Sequence, residues 1–247
     1  MGSIIKVYCV SDLLSAGKRS KDEIIDGFVK VNEAVWGDLV SNEYVWTHEK
    51  MEQQIKNCPH LLYCAYVDGT MAGTLSCIYK NRADILNCRS WDDMSGQGTL
   101  STHDENGDSS FGIDLSVIKE YQNLGVPYKI MRKGFFERIV MPNKKGAYLG
   151  SRIPGYKAYK EKHANMDIEE YVFGHKNEGR THDPEIRIYQ GEGFQRVQIV
   201  KDYFQDEESL DYGVLMFWEN KYHLDLKKFY HELNPFKKTG IVGTAPT

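Results

Sequence analysis

The chain has 247 residues, and 41% of them are hydrophobic, which is enough for the core of one large domain. Its 31 basic and 35 acidic residues leave a net charge of -4, so the sequence lacks the basic surface that nucleic acids and anionic membranes attract. The first residues are too weakly apolar for a signal peptide, and no segment reaches membrane-spanning length. We therefore expect a cytoplasmic protein that binds neither nucleic acid nor membrane.

The sequence contains no motif that is typical of a metal site or a redox site. The five cysteines contain no Cys-x-x-Cys pair and are odd in number, which favours buried free thiols in a reducing compartment. The eight histidines show no His-Glu-x-x-His spacing and no close pairing with cysteine, so no metal site is predicted. The sequence also lacks Gly-x-Ser-x-Gly and Gly-x-x-x-x-Gly-Lys-Ser/Thr, which argues against a hydrolase nucleophile elbow and a P-loop.

Strands and helices alternate along the chain. The apolar periodicity predicts, in chain order, a strand over 4–10, helices over 21–35 and 49–57, strands over 61–67, 71–79 and 112–117, a helix over 126–140, a strand over 145–151, a helix from 184, strands over 194–200 and 212–218, and a helical tail from 220 to 233. Asp68-Gly69 predicts a hairpin, because both residues tolerate positive φ. The last two strands are predicted to form a hairpin across an acidic loop.

The segment 90–110 is rich in Gly, Ser, Asp and Thr, and it is predicted to be a long loop. Loops of this length are uncommon in compact domains unless they have a function. Two interpretations stay open, a lid that gates access of substrate and a disordered surface loop.

The most informative segment runs from Phe111 to Tyr128, where an apolar strand passes through a glycine-bearing turn into a helix. N–H groups at a helix start have no acceptor within the helix, and together with the helix dipole they can hold a pyrophosphate. The turn reads Gln122-x-x-Gly125-x-Pro127, which resembles the acyl-CoA-binding motif Gln/Arg-x-x-Gly-x-Gly/Ala of the GCN5-related N-acetyltransferase (GNAT) superfamily. Pro127 replaces the last small residue and lacks an N–H, so one phosphate donor of the family pattern is missing.

A second motif, Arg187-Ile-Tyr189-Gln-Gly-Glu-Gly193-Phe194, resembles the last conserved GNAT motif, in which a helix carrying a tyrosine runs into Gly-Phe at the next strand. The resemblance implies that Tyr189 is the general acid for the leaving CoA thiolate. A phenol with a pKa of about 10 stays protonated at neutral pH and can donate to a developing thiolate, whose conjugate thiol has a pKa of about 8.5. The alternative is a packed aromatic residue without a chemical role.

Further segments resemble a narrower group, the GNAT domains fused to nitrilase-like hydrolases and, less closely, the GNAT-like loading domains of polyketide synthases. These segments are Thr102–Gly107, Gly112–Val117, Arg152–Tyr156, Asp202–Ser209 and Tyr212–Trp218. The resemblance implies an α/β (α+β) fold whose mixed central sheet of six to seven strands splays into a V-shaped cleft and is flanked by helices. It assigns residues 1–220 to a single acyltransferase domain and 221–247 to a C-terminal helical tail.

The resemblance also implies which residues hold the cofactor, acetyl-CoA or another acyl-CoA. The backbone of Leu115 and Val117 is expected to pair with the pantetheine amides as an added strand would. The turn expected to hold the diphosphate consists of Gln122, Asn123, Leu124, Gly125, Val126 and Tyr128. Asp114 and Ser116, which alternate with apolar residues along the cleft strand, are candidates for relaying the proton of the acceptor amine.

Four further residues are candidates for contacting the acceptor or the acyl group. Arg152 could pair with a carboxylate or phosphate of the acceptor, and Tyr156 lies nearby in the motif. Trp36 and Trp91 could wall an acyl pocket, although buried tryptophans usually belong to the core.

The leading hypothesis is an N-acyltransferase in which a small-molecule amine attacks the acyl-CoA thioester directly in a ternary complex. One alternative is transfer to or from an acyl carrier protein, for which a modest basic patch is offered by Lys144, Lys145, Lys157, Lys160 and Lys162. Another is a non-catalytic acyl-CoA sensor in which Tyr189 is dispensable. The acceptor, the acyl chain length and the choice between monomer and homodimer lie beyond the sequence.

Overall fold

A computed structural model of the chain describes residues 3–39, 43–165, 167–174 and 181–224. Within these ranges one sheet contains seven strands: β1 (Ile5–Cys9), β2 (Leu62–Val67), β3 (Thr70–Lys80), β4 (Ser109–Val117), β5 (Gly146–Arg152), β6 (Gln195–Val200) and β7 (Gly213–Glu219). Their spatial order is β1-β2-β3-β4-β5-β7-β6, and each neighbouring pair is antiparallel except β4 with β5, which is parallel. Every predicted strand is present, and β4 begins earlier than predicted.

The helices of the described ranges are α1 (Val10–Ser15), α2 (Lys21–Trp36), α3 (His48–Asn57), α4 (Arg82–Leu86), α5 (Trp91–Ser95), α6 (Val126–Phe135), α7 (Tyr156–Lys162), α8 (Ile168–Phe173) and α9 (Pro184–Gly191). The helix predicted over 126–140 is α-helical only to Phe135, since a π-helical turn, Phe136–Val140, follows it. None of the helices in these ranges is both long enough and apolar enough to cross a bilayer. Residues 221–224 do not begin the predicted tail helix, and the rest of that tail lies outside the described residues.

Side-chain caps explain where the main helices begin. Ser20 and Glu23 form a reciprocal capping box at the start of α2. Thr47 accepts from the N–H of Lys50 at the start of α3, as its position in the sequence indicates. Asp183 caps α9, whose first residue is a proline, and this cap fixes the start of the helix that carries the candidate tyrosine.

The two faces of the sheet carry different helices. Leu75 of β3 faces α6, because a Cβ added at Gly134 would lie 3.0 Å from Leu75 Cδ2. Ser76, the next residue, points to the opposite face, as does its cross-strand partner Asp114, which contacts Trp36 of α2. We call these the α6 face and the α2 face.

The cleft begins where β4 and β5 stop pairing. Three residue pairs join the two strands, and the last of them is Gly112 with Leu149. Both strands continue beyond this pair without a partner in each other, so they diverge. A β-bulge in β4 lies next to this last pair. Gly112 and Asp114 pair with adjacent residues of β3, so Ile113 between them has no partner in β3. The predicted mixed sheet with a splayed, V-shaped cleft is therefore confirmed.

Residues 90–110 are packed against the sheet. Leu100 is completely buried, and the N–H of Trp91 donates to the carbonyl of Tyr203 at 2.7 Å. The prediction of one long loop is wrong for the part that forms α5, where Ser90 supplies the N-cap. The packing also disagrees with the alternative of a disordered surface loop, whereas a role as a lid stays a prediction.

The hairpin predicted at Asp68-Gly69 is confirmed. Asp68 and Gly69 join β2 to β3 with φ values of 49° and 92°, which is the left-handed geometry that the sequence indicated. The antiparallel pairing of β6 with β7 across the acidic segment between them is likewise confirmed.

Candidate active site

A cavity of ≈ 130 Å³ occupies the cleft between β4 and β5 and is lined from both faces of the sheet. On the α2 face its walls are largely aromatic, and they include Trp36, Tyr44, Trp46, Trp91, Tyr203 and Phe204. On the α6 face they are largely apolar, and they include Leu75, Leu115, Met131, Phe135, Ala147 and Phe194. Its charged and phenolic lining includes Asp114, Arg138, Arg152, Glu185 and Tyr189. The cavity is an apolar slot with a few polar groups, as small-molecule sites usually are.

The polar centre of the cavity is a group of three predicted residues. Trp36 Nε1–H donates to Asp114 Oδ1 at 2.9 Å and to Ser116 Oγ at 2.8 Å. The Ser116 hydroxyl donates in turn to Asp114 Oδ1 at 2.8 Å. Burial raises the pKa of Asp114 to about 6, although the hydrogen bonds from Ser116 and Trp36 oppose the increase. The carboxylate can therefore gain or lose a proton near neutral pH.

Tyr189 and Glu185 lie one turn apart on α9 and both line the cavity. Burial raises the pKa of Tyr189 far above its usual value, and the nearby charges of Glu185 and Asp114 raise it further, so the phenol stays protonated. Its hydroxyl has no hydrogen-bond partner in the described part of the chain. Burial also raises the pKa of Glu185, to about 7, against the opposing charge of Arg152.

Glu185 is a residue that the sequence interpretation missed. Its spacing of four from Tyr189 places both side chains on one helix face, and this spacing was the signal available. Arg138 was missed as well, although it shares a helix face with Met131 and Phe135 in an otherwise apolar stripe.

Arg152 already has partners within the protein. Its Nε donates to Asp206 Oδ2 at 2.7 Å, and its Nη2 donates to Asp206 Oδ1 at 2.8 Å and to Glu208 Oε2 at 3.0 Å. The guanidinium carbon lies 5.8 Å from the centroid of the Trp36 ring. Burial works against the charge of Arg152, but the hydrogen bonds to Asp206 outweigh it, and the pKa of Arg152 is raised. These bonds orient Arg152 at the cleft, while pairing with an acceptor anion stays a prediction.

The turn before α6 has the geometry expected for an anion site. Gly125 is the N-cap of α6, with φ 79° and ψ 17°, and a Cβ added there would have no atom within 4 Å. The N–H groups of Val126 and Tyr128 lie in the first turn, where a helix supplies no acceptor. Gln122 Nε2 donates to the carbonyl of Val117 at 3.1 Å and so ties the turn to the end of β4.

The remaining residues of the turn, Asn123 and Leu124, belong to a 3-10 helix, Lys119–Leu124, that leads into Gly125. The side chains of Leu124 and Tyr128 are 44% and 59% exposed, so they stand beside an open surface. The backbone of the turn is thus accessible to a ligand from solvent.

Val117 and Tyr156 are predicted residues that do not line the cavity. Val117 is buried on the α6 face below it, while Leu115 reaches it. Tyr156 is 2% exposed and packs its ring 5.0 Å from that of Tyr171 and 5.9 Å from that of Tyr212. The structure therefore packs Tyr156 in the core, and its contact with a substrate stays a prediction.

The ring of Tyr203 forms part of the cavity wall and packs against two glycines. Its ring lies against Gly150 of β5 and Gly213 of β7, and a Cβ added at either glycine would collide with the ring. Tyr203 is 4% exposed and lines the cavity beside Trp91. The two glycines therefore make the space that the ring fills.

Two histidines and a glutamate come together outside the cavity. Glu105 Oε2 lies 3.1 Å from His60 Nε2 and 2.9 Å from His103 Nε2, a grouping that the sequence spacing did not indicate. The N–H of Tyr79 donates to His103 Nδ1 at 3.0 Å, so neutral His103 carries its proton on Nε2 and donates it to Glu105. A metal ligand needs the opposite arrangement, with the second ring nitrogen as donor. The group is therefore built as a hydrogen-bonded cluster, and the absence of a metal site stays a prediction.

The lysines considered for docking a carrier protein do not form one patch. Lys144 and Lys145 precede β5, whereas Lys157, Lys160 and Lys162 follow it, at the opposite end of the strand. Lys145 pairs with Asp108, and Lys157 pairs with Glu207. Their charges are thus divided and partly neutralised.

The chain is similar to proteins of the GNAT type. It is 26% identical over 199 residues to the uncharacterized N-acetyltransferase YkwB of Bacillus subtilis. The aligned residues cover 81% of this chain and 86% of YkwB. It is 25% identical over 197 residues to the probable hydrolase YhcX of the same organism, which covers 78% of this chain and 37% of YhcX. No protein-family model matches the chain.

Two solved structures share its fold. The GphF GNAT-like decarboxylase, in complex with isobutyryl-CoA, has a TM-score of 0.68, is 16% identical, and matches over 87% of this chain and 98% of its own. The loading GNATL domain of CurA from Lyngbya majuscula has a TM-score of 0.69, is 15% identical and gives the same coverage. The chain has the GNAT fold. The predicted resemblance to GNAT-type acyltransferases, including the loading and hydrolase-associated groups, is therefore confirmed.

Proposed function

We propose that the protein is an acyl-CoA-dependent N-acyltransferase that moves an acyl group to a small-molecule amine. The observation that carries the proposal is the cleft itself, in which an unpaired phenol and two carboxyl groups of raised pKa converge between diverging strands. The pKa values of the two carboxyl groups are shifted toward neutrality, and carboxyl groups of this kind that share one cavity with a protonated phenol are typical of acid–base catalysis. Residues 1–220 would act as one catalytic domain.

In this proposal the turn before α6 holds the diphosphate of CoA. Gly125 leaves the backbone open, and the free N–H groups of Val126 and Tyr128 would donate to phosphate oxygens. The edge of β4 beyond Gly112 has no partner in β5, so the backbone near Leu115 could pair with the pantetheine amides. The thioester would then lie at the polar centre of the cavity.

The reaction would proceed by direct attack of the neutral amine on the thioester carbonyl. Asp114, with Ser116 beside it, would accept the proton that the amine loses, and Glu185 is a second carboxylate within the same cavity. The bond between the carbonyl carbon and sulfur breaks, and Tyr189 protonates the departing thiolate. Burial raises the pKa of the phenol and also makes a thiolate in the same site more basic, so the phenol can still donate its proton to the sulfur as the thiolate forms.

Transfer involving a carrier protein is the alternative, and one protein that shares the fold is the loading GNATL domain of CurA. The divided lysines favour the small amine instead, because they offer no continuous basic surface to an acidic carrier.

Two measurements test the proposal. Calorimetric titration with acetyl-CoA should detect binding, and a screen of amines, amino acids and aminoglycosides should release free thiol with at least one acceptor. Absence of any binding of CoA or acyl-CoA by the folded protein would reject the proposal. Binding without turnover across the screen would favour the sensor alternative.

A further inference from the structure

Arg138 is a buried cation that has no ion-pair partner among the described residues. Its side chain lines the cavity although the residue is only 4% exposed, and neither Nε nor Nη1 makes a hydrogen bond. No carboxylate of the described residues forms an ion pair with it, and its neighbour Glu137 pairs with Lys133 instead. A buried charge is costly to a protein unless something pairs with it, so the unpaired guanidinium suits an anionic group of a ligand.

Packing holds the guanidinium in place. Its central carbon lies 5.5 Å from the centroid of the Phe135 ring, and a Cβ added at Gly134 would lie 3.3 Å from Arg138 Nε. The Tyr79 hydroxyl donates to the Arg138 carbonyl at 2.9 Å, which fixes the backbone. Burial lowers the pKa of Arg138 to about 10, which still leaves the side chain charged at neutral pH.

The position of Arg138 indicates which part of a ligand would meet it. Met131 and Phe135 line the cavity from α6, which Gly125 caps, and Arg138 lines it from the π-helical turn that follows α6. Thirteen residues at 1.5 Å each separate Gly125 from Arg138, or about 20 Å along the axis. A ligand whose diphosphate lies at the turn would therefore approach Arg138 with its acyl end.

The other arginine of the cavity is not available in the same way. Arg152 lies on the α2 face of the cleft and is held by Asp206 and Glu208. Arg138 lies on the α6 face, where the walls around it are apolar.

We propose that Arg138 binds a carboxylate at the far end of the acyl group, so that the preferred donors are CoA thioesters of dicarboxylic acids. This inference rests on the proposed function and adds the class of acyl group. The carboxylate is only recognised, through charge-assisted hydrogen bonds to the guanidinium, and no bond to it is made or broken.

The test uses stable thioethers of CoA, which can be neither transferred nor hydrolysed. S-(3-carboxypropyl)-CoA and S-butyl-CoA differ in the terminal carboxylate, and CoA itself is the reference. The native protein should bind the carboxypropyl compound about 10- to 100-fold more tightly than the butyl compound, the range expected for a hydrogen bond to a charged group. Arg138→Met should bring this ratio close to one, and Arg138→Lys should keep part of it.

Two controls separate the possible failures. Affinity for CoA should be the same in the native protein and in Arg138→Met, which shows that the variant is folded, and Arg132→Met, an exposed arginine of the same helix, should keep the native ratio. A ratio near one in the native protein would overturn the inference, as would a ratio that survives Arg138→Met. If the native protein bound no CoA at all, this result would instead reject the proposed function on which the inference rests.

Discussion

Trp36 donates its indole N–H to Asp114 Oδ1 at 2.9 Å and thereby joins the last residue of α2 to the strand that borders the cleft. The same N–H reaches Ser116 Oγ, so a single tryptophan orients both polar residues of the cleft strand. The tryptophan predicted as an acyl-pocket wall is thus also a hydrogen-bond donor to the candidate base.

Asp114→Asn should abolish most turnover and yet stabilise the protein. The folded-state pKa of about 6 lies above the unfolded value near 3.9, so ionisation of Asp114 lowers stability as pH rises from about 4 to 6. The variant should therefore gain about 1–3 kcal/mol at pH 8 and nothing below pH 4. Urea unfolding at the two pH values measures the difference, and an equal effect at both would contradict the assigned pKa.

Trp36→Phe should shift the acidic limb of the rate profile to higher pH. The hydrogen bond from Trp36 lowers the pKa of Asp114, so its loss raises that pKa, and a loss of about 1 kcal/mol moves the limb by roughly one pH unit. The measurement is kcat/KM against pH with the acceptor found in the screen. Tyr44→Phe, which changes another aromatic residue of the cavity wall, is the matched control and should leave the limb in place.

Tyr189→Phe should reduce kcat and leave the affinity for CoA nearly unchanged. A phenol that protonates a departing thiolate acts in the transition state and hardly in the ground state. The expected loss is about 10- to 1000-fold, and the smaller end is realistic because a thiolate leaves readily. Tyr222→Phe changes a tyrosine that is 73% exposed and should turn over at the native rate. A native rate in Tyr189→Phe would reduce Tyr189 to a packing residue.

Gly125→Leu should weaken binding of acetyl-CoA by about tenfold or more, because the new side chain stands where the diphosphate approaches the backbone. Gly17→Leu is the matched control, since both glycines have positive φ and no atom within 4 Å of an added Cβ. The two variants should lose similar stability, about 1 kcal/mol, and differ only in calorimetric affinity. Equal affinities would place the phosphates elsewhere.

Residues 90–110 should gain protection from amide exchange when acyl-CoA and acceptor bind, if this segment closes over the cleft. Trp91 already lines the cavity from its start, and its indole N–H donates to the Ile113 carbonyl at 3.1 Å. Hydrogen exchange followed by mass spectrometry gives the comparison, with β1 as an internal reference. Unchanged exchange in the segment would contradict a role as a lid.

Much of the fold could be predicted, because strands, caps and the Asp68-Gly69 turn are local signals. The bulge at Ile113 could not be predicted from the sequence. Strict alternation puts Phe111 and Leu115 on one face, whereas Phe111 pairs with Ile78 on the α2 face and Leu115 pairs with Leu75 on the α6 face. One unpaired residue changes the phase of the strand, and an apolar sequence carries no sign of it.

The candidate site was predicted in part for a related reason. Tyr189, Asp114 and Gly125 stand in motifs, so the sequence could indicate them. The ion pair of Arg152 with Asp206 joins residues 54 positions apart, and the unpaired state of Arg138 depends on what the fold brings near it. Contacts between residues distant in the sequence depend on tertiary packing, so the local sequence pattern does not reveal them.

Tyr203 gives the cleft a wall that can be altered without disturbing the sheet. Because its ring comes from the segment after β6 and rests on Gly150 and Gly213, a smaller residue at position 203 would enlarge the chamber while both strands kept their backbone pairing. A larger residue at either glycine would instead force the ring away. In the proposed function, the acyl chain length accepted by homologues could thus diverge through one aromatic position, with the candidate catalytic groups of β4 and α9 left in place.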